Sequence, residues 1–213
     1  MAVLAAIHIV LGYLPNAEDA ALQYAFVPAR YDSAYLAVNH FAPPSLLDQA
    51  VPFVSYMGLH SDFTHLGINL LWLLAFGPIV ARRFGGLRFF VFFAVCGVAG
   101  ALAHLAVNWG SPMPVIGASA AISGLMAAGI RLMPMRSPFG QMPANDQAIA
   151  SFWDPRLLGF SAVWLVINAV VGMTGMGADG EVRVIAWEAH MGGYIAGYLL
   201  TGPFNRWASS SGK

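Results

Sequence analysis

The chain has 213 residues, of which 58% are hydrophobic and only 9% are charged. Soluble domains carry roughly a quarter charged residues, so this composition excludes an ordinary soluble protein and indicates a protein embedded in a membrane. The ten basic residues balance the ten acidic ones, and this zero net charge argues against a nucleic-acid partner or a polybasic lipid-binding tail.

Six apolar segments of about the length of a membrane-spanning helix follow one another along the chain. The first is short and lacks both a basic start and a clear cleavage site, which favours a short or truncated first helix over a signal peptide. The sequence predicts spans near Met1–Leu14, Phe63–Ala81, Phe89–Trp109, Gly117–Pro134, Leu157–Met173 and Val184–Phe204.

A long polar segment separates the first two predicted spans. Residues 15–62 contain five acidic residues and are interrupted by prolines, so they are too polar to cross a membrane and cannot form one helix. We expect an ordered external loop. No second domain is evident, and the prediction is one membrane domain over residues 1–213 with a short cytoplasmic tail at 205–213.

The basic residues predict the orientation, because Lys and Arg are retained on the cytoplasmic side. With six spans, only Arg30 and Arg183 fall on the external side. The other basic residues share the opposite side, and they are Arg82, Arg83, Arg88, Arg131, Arg136, Arg156, Arg206 and Lys213. Both termini are therefore predicted to be cytoplasmic. We expect a bacterial inner membrane, because the chain is small and shows no extra domain.

Four polar residues within the spans are candidates for function, because polar groups in hydrocarbon cost a few kcal/mol unless they are partnered. They are His65, Asn69, Ser119 and His190. In the predicted topology the second, fourth and sixth spans all begin at the external face. All four side chains should therefore lie at a similar depth, toward the outer leaflet.

The spacing of these residues suggests a chemistry. His65 and Asn69 are four residues apart, so they project from one face of a helix. Ser119 follows a proline-containing segment and precedes a helical run, so the free N–H groups of a helix N-terminus would stabilise an oxyanion beside it. His190 is followed by small residues that include Gly193, which permit close helix packing and would bring a general base to the serine.

Each feature also has an ordinary structural interpretation. A serine in a membrane helix usually bonds a carbonyl of its own helix, and glycine-rich faces usually serve packing. A histidine and asparagine pair is more often structural than catalytic. The convergence of three such features at one depth favours the functional interpretation.

With these residues in view, the chain resembles the rhomboid family of intramembrane serine proteases. Three motifs carry the resemblance, in matching order and spacing. They are His60-Ser61-Asp62-Phe63-Thr64-His65-Leu66-Gly67-Ile68-Asn69, Gly117-Ala118-Ser119-Ala120 and Ala189-His190-Met191-Gly192-Gly193.

The resemblance implies an all-α, six-helix rhomboid-like bundle that cuts single-span membrane proteins near the outer face of the lipid bilayer. It implies a dyad without a third acidic member, in which Ser119 is the nucleophile and His190 is first general base and then general acid. The oxyanion hole would comprise His65, Asn69 and the backbone N–H of Ser119. Gly117, Gly193 and His60 would have supporting roles, and no metal or organic cofactor is expected.

The chain departs from the family pattern at three places. Ala120 replaces the usual glycine after the nucleophile, and we expect its methyl group to reduce the room at the oxyanion site. Ser123 stands where many members have an aromatic ring, so His190 would be held by other packing or by a hydrogen bond from Ser123. Val51-Pro52 stands where a Trp-Arg pair is common.

Other functions remain alternatives. The main one is a catalytically weak or inactive rhomboid-like protein that binds or chaperones membrane proteins, and Ala120 is the feature that favours it. A zinc protease is disfavoured because the sequence has no His-Glu-x-x-His string. Glu188, two residues from His190, should point elsewhere on the helix and face water at the external edge.

Overall fold

The computed structural model is all-helical and describes residues 1–133, 149–174 and 185–210. The predicted all-α class is confirmed. Two 3₁₀ turns, Pro28–Tyr31 and Tyr56–Gly58, accompany the α-helices of these ranges. Those helices are α1 (Ala2–Gly12), α2 (Ala17–Tyr24), α3 (Ser33–Val38), α4 (Leu46–Ala50), α5 (Pro52–Ser55), α6 (Phe63–Phe84), α7 (Gly86–Val107), α8 (Ser119–Leu132), α9 (Pro155–Thr174) and α10 (Trp187–Ser210).

Three helices of the described ranges are long and apolar enough to cross a membrane. They are α6 and α7, with 22 residues each, and α9, with 20 residues. The apolar helices α1 and α8 are shorter, with 11 and 14 residues, and α10 has 24 residues in the region of the sixth predicted span. The protein is therefore an integral membrane protein. The count of six spans and the orientation of the termini stay predictions.

The polar end of α10 differs from the expectation. The helix continues to Ser210, through residues that we assigned to the tail. Its end is stabilised by α6, because Arg83 of that helix donates to the Asn205 side chain at 2.6 Å and Phe84 of the same helix packs on the Phe204 ring. Several predicted features lie outside the described residues, namely Pro134, Arg136, most of the connections 135–156 and 174–183, Arg183, Val184 and Lys213.

The short helix α8 lies at the centre of the bundle. Nearly all of its residues are buried, and many are alanine or glycine. The helices α6, α7, α9 and α10 all pack against it. At 1.5 Å per residue it is about 21 Å long, which is less than the thickness of about 30 Å of a bilayer core. Its first residue, Ser119, can therefore lie inside the bundle.

Glycine lets α8 and α10 touch through their backbones. A Cβ atom added at Gly193 would lie 2.0 Å from the carbonyl oxygen of Ala120, and one added at Gly197 would lie 2.2 Å from that of Gly124. Real side chains do not tolerate such distances. The small-residue face that follows His190 is therefore packed against the helix that begins at Ser119.

The long segment between α1 and α6 is folded onto the residues that precede α8. Phe26 and Val115 exchange two backbone hydrogen bonds of 3.0 and 2.8 Å in an isolated antiparallel bridge. The Gly117 N–H donates to the Tyr56 carbonyl at 2.9 Å, and the Tyr56 hydroxyl donates to the Gly97 carbonyl of α7 at 2.8 Å. These bonds fix the chain as it enters α8.

The contact between α8 and α10 can be tested by Gly193→Ala, with Gly159→Ala as the matched control. We expect Gly193→Ala to destabilise the protein by about 1–3 kcal/mol, because its methyl group would overlap the Ala120 backbone. A methyl group at Gly159 of α9 meets nothing within 4 Å, and the better helix propensity of alanine should leave stability equal or higher. The measurement is the thermal unfolding midpoint in detergent. Equal midpoints for the two variants would contradict the packing described.

Candidate active site

Ser119 and His190 are in direct contact. The Ser119 hydroxyl lies 2.6 Å from Nε2 of His190, which is a hydrogen-bond distance. Ser119 is the first residue of α8. Its backbone N–H is therefore one of the first four N–H groups of the helix, which have no hydrogen-bond acceptor within the helix. A nucleophile, a base and a helix N-terminus therefore meet at one point.

Gly117 keeps the space in front of Ser119 open. Its φ of +117° is a conformation that residues with a side chain rarely adopt. A Cβ atom there would lie 2.8 Å from Nε2 of His65 and 3.8 Å from Oγ of Ser119. Glycine is thus required both by the backbone and by the gap between the serine and the His65 ring.

His65 and Asn69 project from the first two turns of α6. The Asp62 carboxylate caps this helix by accepting the His65 N–H at 2.8 Å, which fixes where the helix begins. Nδ1 of His65 lies 3.2 Å from the Ser61 hydroxyl and 3.5 Å from the Ser61 N–H, so Ser61 provides a partner for either tautomer of the ring. One N–H of the buried Asn69 amide donates to the His65 carbonyl at 2.9 Å.

These four side chains line one cavity of about 730 Å³ between α6, α8, α9 and α10. This volume lies within the usual range of about 300–1,000 Å³ for ligand sites. Trp72 of α6 and Trp164 of α9 are among the other lining residues. The structure thus brings together the four polar residues that the sequence placed at a common depth.

The methyl group of Ala120 lies against α7. A Cβ atom added at Gly100 would be 2.6 Å from the Cβ of Ala120, so the absence of a side chain at Gly100 accommodates this methyl group. Ala120 still contributes to the cavity wall. The methyl group that we expected to reduce the room at the oxyanion site therefore lies beside Gly100 of the neighbouring helix, and its effect on that site stays a prediction.

The partner of His190 is not the one considered from the sequence. The Ser123 hydroxyl donates to the Ser119 carbonyl at 2.7 Å within α8, so the proposed hydrogen bond from Ser123 to His190 is wrong. Instead, Nδ1 of His190 lies 2.8 Å from Oδ1 of Asn168 in α9. Sequence reasoning missed Asn168, although an amide inside an apolar span is the same signal that identified the other four residues.

The remaining candidates surround this centre. The buried His60 packs its ring edge against the His65 ring, with 5.0 Å between the ring centroids. Glu188 points away from His190, as expected, but it does not face water. Its side chain is only 13% exposed and pairs with Nδ1 of His104 in α7 at 3.4 Å. The expectation was wrong because the sequence did not reveal that α7 offers a partner.

The fold defines a polytopic all-helical membrane protein, and its internal cavity contains a serine bonded to a histidine, the pairing on which nucleophilic serine catalysis depends. The chain belongs to the rhomboid family. Residues 47–206 match the family described as the Rhomboid domain, which confirms the resemblance found in the motifs.

Two relatives come from Bacillus subtilis (strain 168). The chain is 37% identical over 70 residues to "Rhomboid protease GluP", a match that covers 33% of this chain and 13% of that protein. It is 26% identical over 145 residues to "Putative rhomboid protease YdcA", which covers 67% of this chain and 61% of that protein. The chain thus aligns with only part of each relative.

The pH dependence of stability tests whether His60 is buried. Burial, and to a smaller extent the neighbouring His65 ring, lowers the pKa of His60 to about 4 from its ordinary value of 6.5. The unfolded chain therefore binds a proton that the folded protein does not, and stability should be full above pH 6.5 and fall as the pH drops toward 4. The measurement is the thermal midpoint across this range.

The matched variant is His60→Phe, which keeps a ring but cannot titrate. Its midpoint should fall less than that of the parent between these pH values, because one source of proton uptake on unfolding is gone. Parallel pH curves for the two proteins would contradict a buried neutral His60.

Proposed function

We propose that this protein is an intramembrane serine endopeptidase of the rhomboid type, which hydrolyses peptide bonds in or near the transmembrane segments of other membrane proteins. The observation that carries the proposal is the 2.6 Å contact between Ser119 Oγ and His190 Nε2 inside a cavity walled by membrane helices. Membership of the rhomboid family and the names of the two relatives support it.

In the proposed reaction the Ser119 oxygen attacks the carbonyl carbon of the scissile bond while Nε2 of His190 takes the hydroxyl proton. The tetrahedral intermediate collapses as His190 returns this proton to the leaving amine, and the acyl group stays on Ser119. Water then attacks the ester with His190 again acting as base, which releases the new carboxyl terminus and restores the serine.

The proposed oxyanion hole joins three donors from two helices. Nε2 of His65 faces the gap at Gly117 and would donate in the tautomer that carries its proton on Nε2. The Asn69 amide has a second N–H besides the one bonded to the His65 carbonyl, and the Ser119 N–H lies at the start of α8. Donors fixed in advance stabilise the developing negative charge at no cost of reorganisation.

The substrate class follows from the position of the cavity. Its walls include the membrane-spanning helices α6 and α9, so the polypeptide that enters would come from a transmembrane segment. Such a segment must be locally unwound to expose a peptide bond, which is easier where its helix is weak and its residues are small. We propose a bacterial inner membrane with both termini in the cytoplasm, as the basic residues predict.

The second candidate function is binding of membrane proteins without cleavage. Ala120 favoured this alternative, because a methyl group beside the nucleophile would crowd the oxyanion. Its position beside Gly100 of α7 weakens that argument. The contact between Ser119 and His190 gives a hydroxyl a base, which a binder does not require, and this favours proteolysis.

The first experiment compares the purified parent with Ser119→Ala and His190→Ala on a reporter that carries one destabilised transmembrane helix. Each substitution should lower cleavage by at least about 1,000-fold, since a nucleophile and its base act as a unit. Ser119→Ala should also abolish labelling by a fluorophosphonate, which reacts with activated serines. Equal cleavage by parent and variants would contradict the proposal. If the parent protein is folded but cleaves none of several reporters, the result would favour binding without cleavage.

The oxyanion hole is tested by Asn69→Ala and His65→Ala, with Leu71→Ala on the exposed face of α6 as the control. Loss of one donor should lower kcat by about 100-fold and leave KM nearly unchanged, because the donors act on charge that develops only in the transition state. Leu71→Ala should keep the parental kcat. A rise in KM at constant kcat would instead assign these side chains to substrate binding.

A further inference from the structure

We propose that Asn168 of α9 is a positioning residue for His190, so that Ser119, His190 and Asn168 form one hydrogen-bonded chain across three helices. This inference rests on the proposed protease activity and specifies how its general base is oriented. It adds to the dyad implied by the family resemblance a third member, which is a neutral amide.

The geometry determines which way the amide of Asn168 points. One end of it lies 3.1 Å from the backbone carbonyl of Trp187, and the other lies 2.8 Å from Nδ1 of His190. A carbonyl can only accept a hydrogen bond, so the NH₂ group must face Trp187. The Asn168 oxygen therefore faces the imidazole.

This orientation fixes the tautomer of His190. An amide oxygen can only accept, so Nδ1 of His190 must carry the proton that it donates. In a neutral imidazole the other nitrogen, Nε2, then has a lone pair. That lone pair is 2.6 Å from the Ser119 oxygen and can accept the hydroxyl proton. In the opposite tautomer Nε2 would carry a proton and His190 could not act as base.

The same bond stabilises the charged intermediate. When Nε2 takes the serine proton, the ring becomes an imidazolium and its Nδ1–H bond to Asn168 becomes a charge-assisted one, which is roughly twice as strong as a neutral bond. An amide does this without a buried carboxylate, which is costly inside a membrane. The nearby carboxylate of Glu188 is engaged with His104 and does not compete.

A second hydrogen bond between the same two helices offers a matched control. The Ser161 hydroxyl of α9 lies 2.7 Å from the Tyr194 hydroxyl of α10, and neither group is bonded to His190. Asn168→Leu removes the bonds of Asn168 to His190 and to the Trp187 carbonyl, and Ser161→Ala removes the bond to Tyr194, so each substitution loosens the contact between α9 and α10. Only the first should disturb the base if Asn168 positions His190, whereas both should act alike if the bonds merely hold the helices together.

The experiment measures kcat and KM for the parent, Asn168→Leu, Asn168→Asp and Ser161→Ala on the transmembrane reporter, with the rate of fluorophosphonate labelling as a second readout. Asn168→Leu should lower kcat and the labelling rate by about 10- to 100-fold with KM within about twofold, because general-base catalysis contributes roughly 10²–10⁴ in total. In its protonated form Asn168→Asp matches the amide, because its O–H can donate to the Trp187 carbonyl while its C=O accepts from Nδ1 of His190, so this variant should restore most of the activity. Ser161→Ala should match the parent.

The outcomes separate this inference from the proposed function. Parent protein that shows no cleavage or labelling dependent on Ser119 would overturn the protease itself. If the parent is active, three results would overturn the positioning role alone. They are an unchanged kcat in Asn168→Leu, equal losses of kcat in Asn168→Leu and Ser161→Ala, and an activity of Asn168→Asp as low as that of Asn168→Leu. If Asn168→Leu does not fold, the activity of Asn168→Asp decides the question, and loss of kcat in that folded variant overturns the inference.

Discussion

Direct backbone contact between α8 and α10 is the constraint on which the rest of the structure depends. Gly193 and Gly197 allow the two helices to approach until the carbonyl groups of α8 occupy the places where side chains of α10 would stand. Only at this separation can the imidazole of His190 reach the Ser119 hydroxyl. Dispersion forces between small residues provide this approach in lipid, where water supplies no hydrophobic driving force between helices. The chemistry of the site is thus a consequence of packing rather than an addition to it.

The polar groups at the centre illustrate how a membrane protein carries reactive side chains. Hydrogen bonds join Ser119 to His190 and His190 to Asn168, and the NH₂ group of Asn168 donates to the Trp187 carbonyl. Ser123 is satisfied within its own helix. Because an unpaired polar group in this environment costs several kcal/mol, such closed networks stabilise one arrangement of the helices. Order at the site and stability of the bundle therefore have the same cause.

The sequence predicted those features that depend on local rules. The spacing of His65 and Asn69 follows from helical periodicity, and the start of α8 at Ser119 follows from the prolines before it. The family motifs supplied the pairing of Ser119 with His190. Features that depend on contacts between distant segments were missed or wrong, such as Asn168 meeting His190 and Glu188 meeting His104. No periodicity within one helix reveals which residue a neighbouring helix will offer.

The order of the two central residues along the chain has a consequence for biosynthesis. His190 lies 71 residues after Ser119 and belongs to α10, which is synthesised after α8. Until α10 packs against α8, Ser119 has no base. Under the proposed mechanism, a nascent chain is chemically silent toward the proteins being inserted beside it. Proteolytic competence arises in one step, when the helix that completes the packing is also the helix that delivers the base.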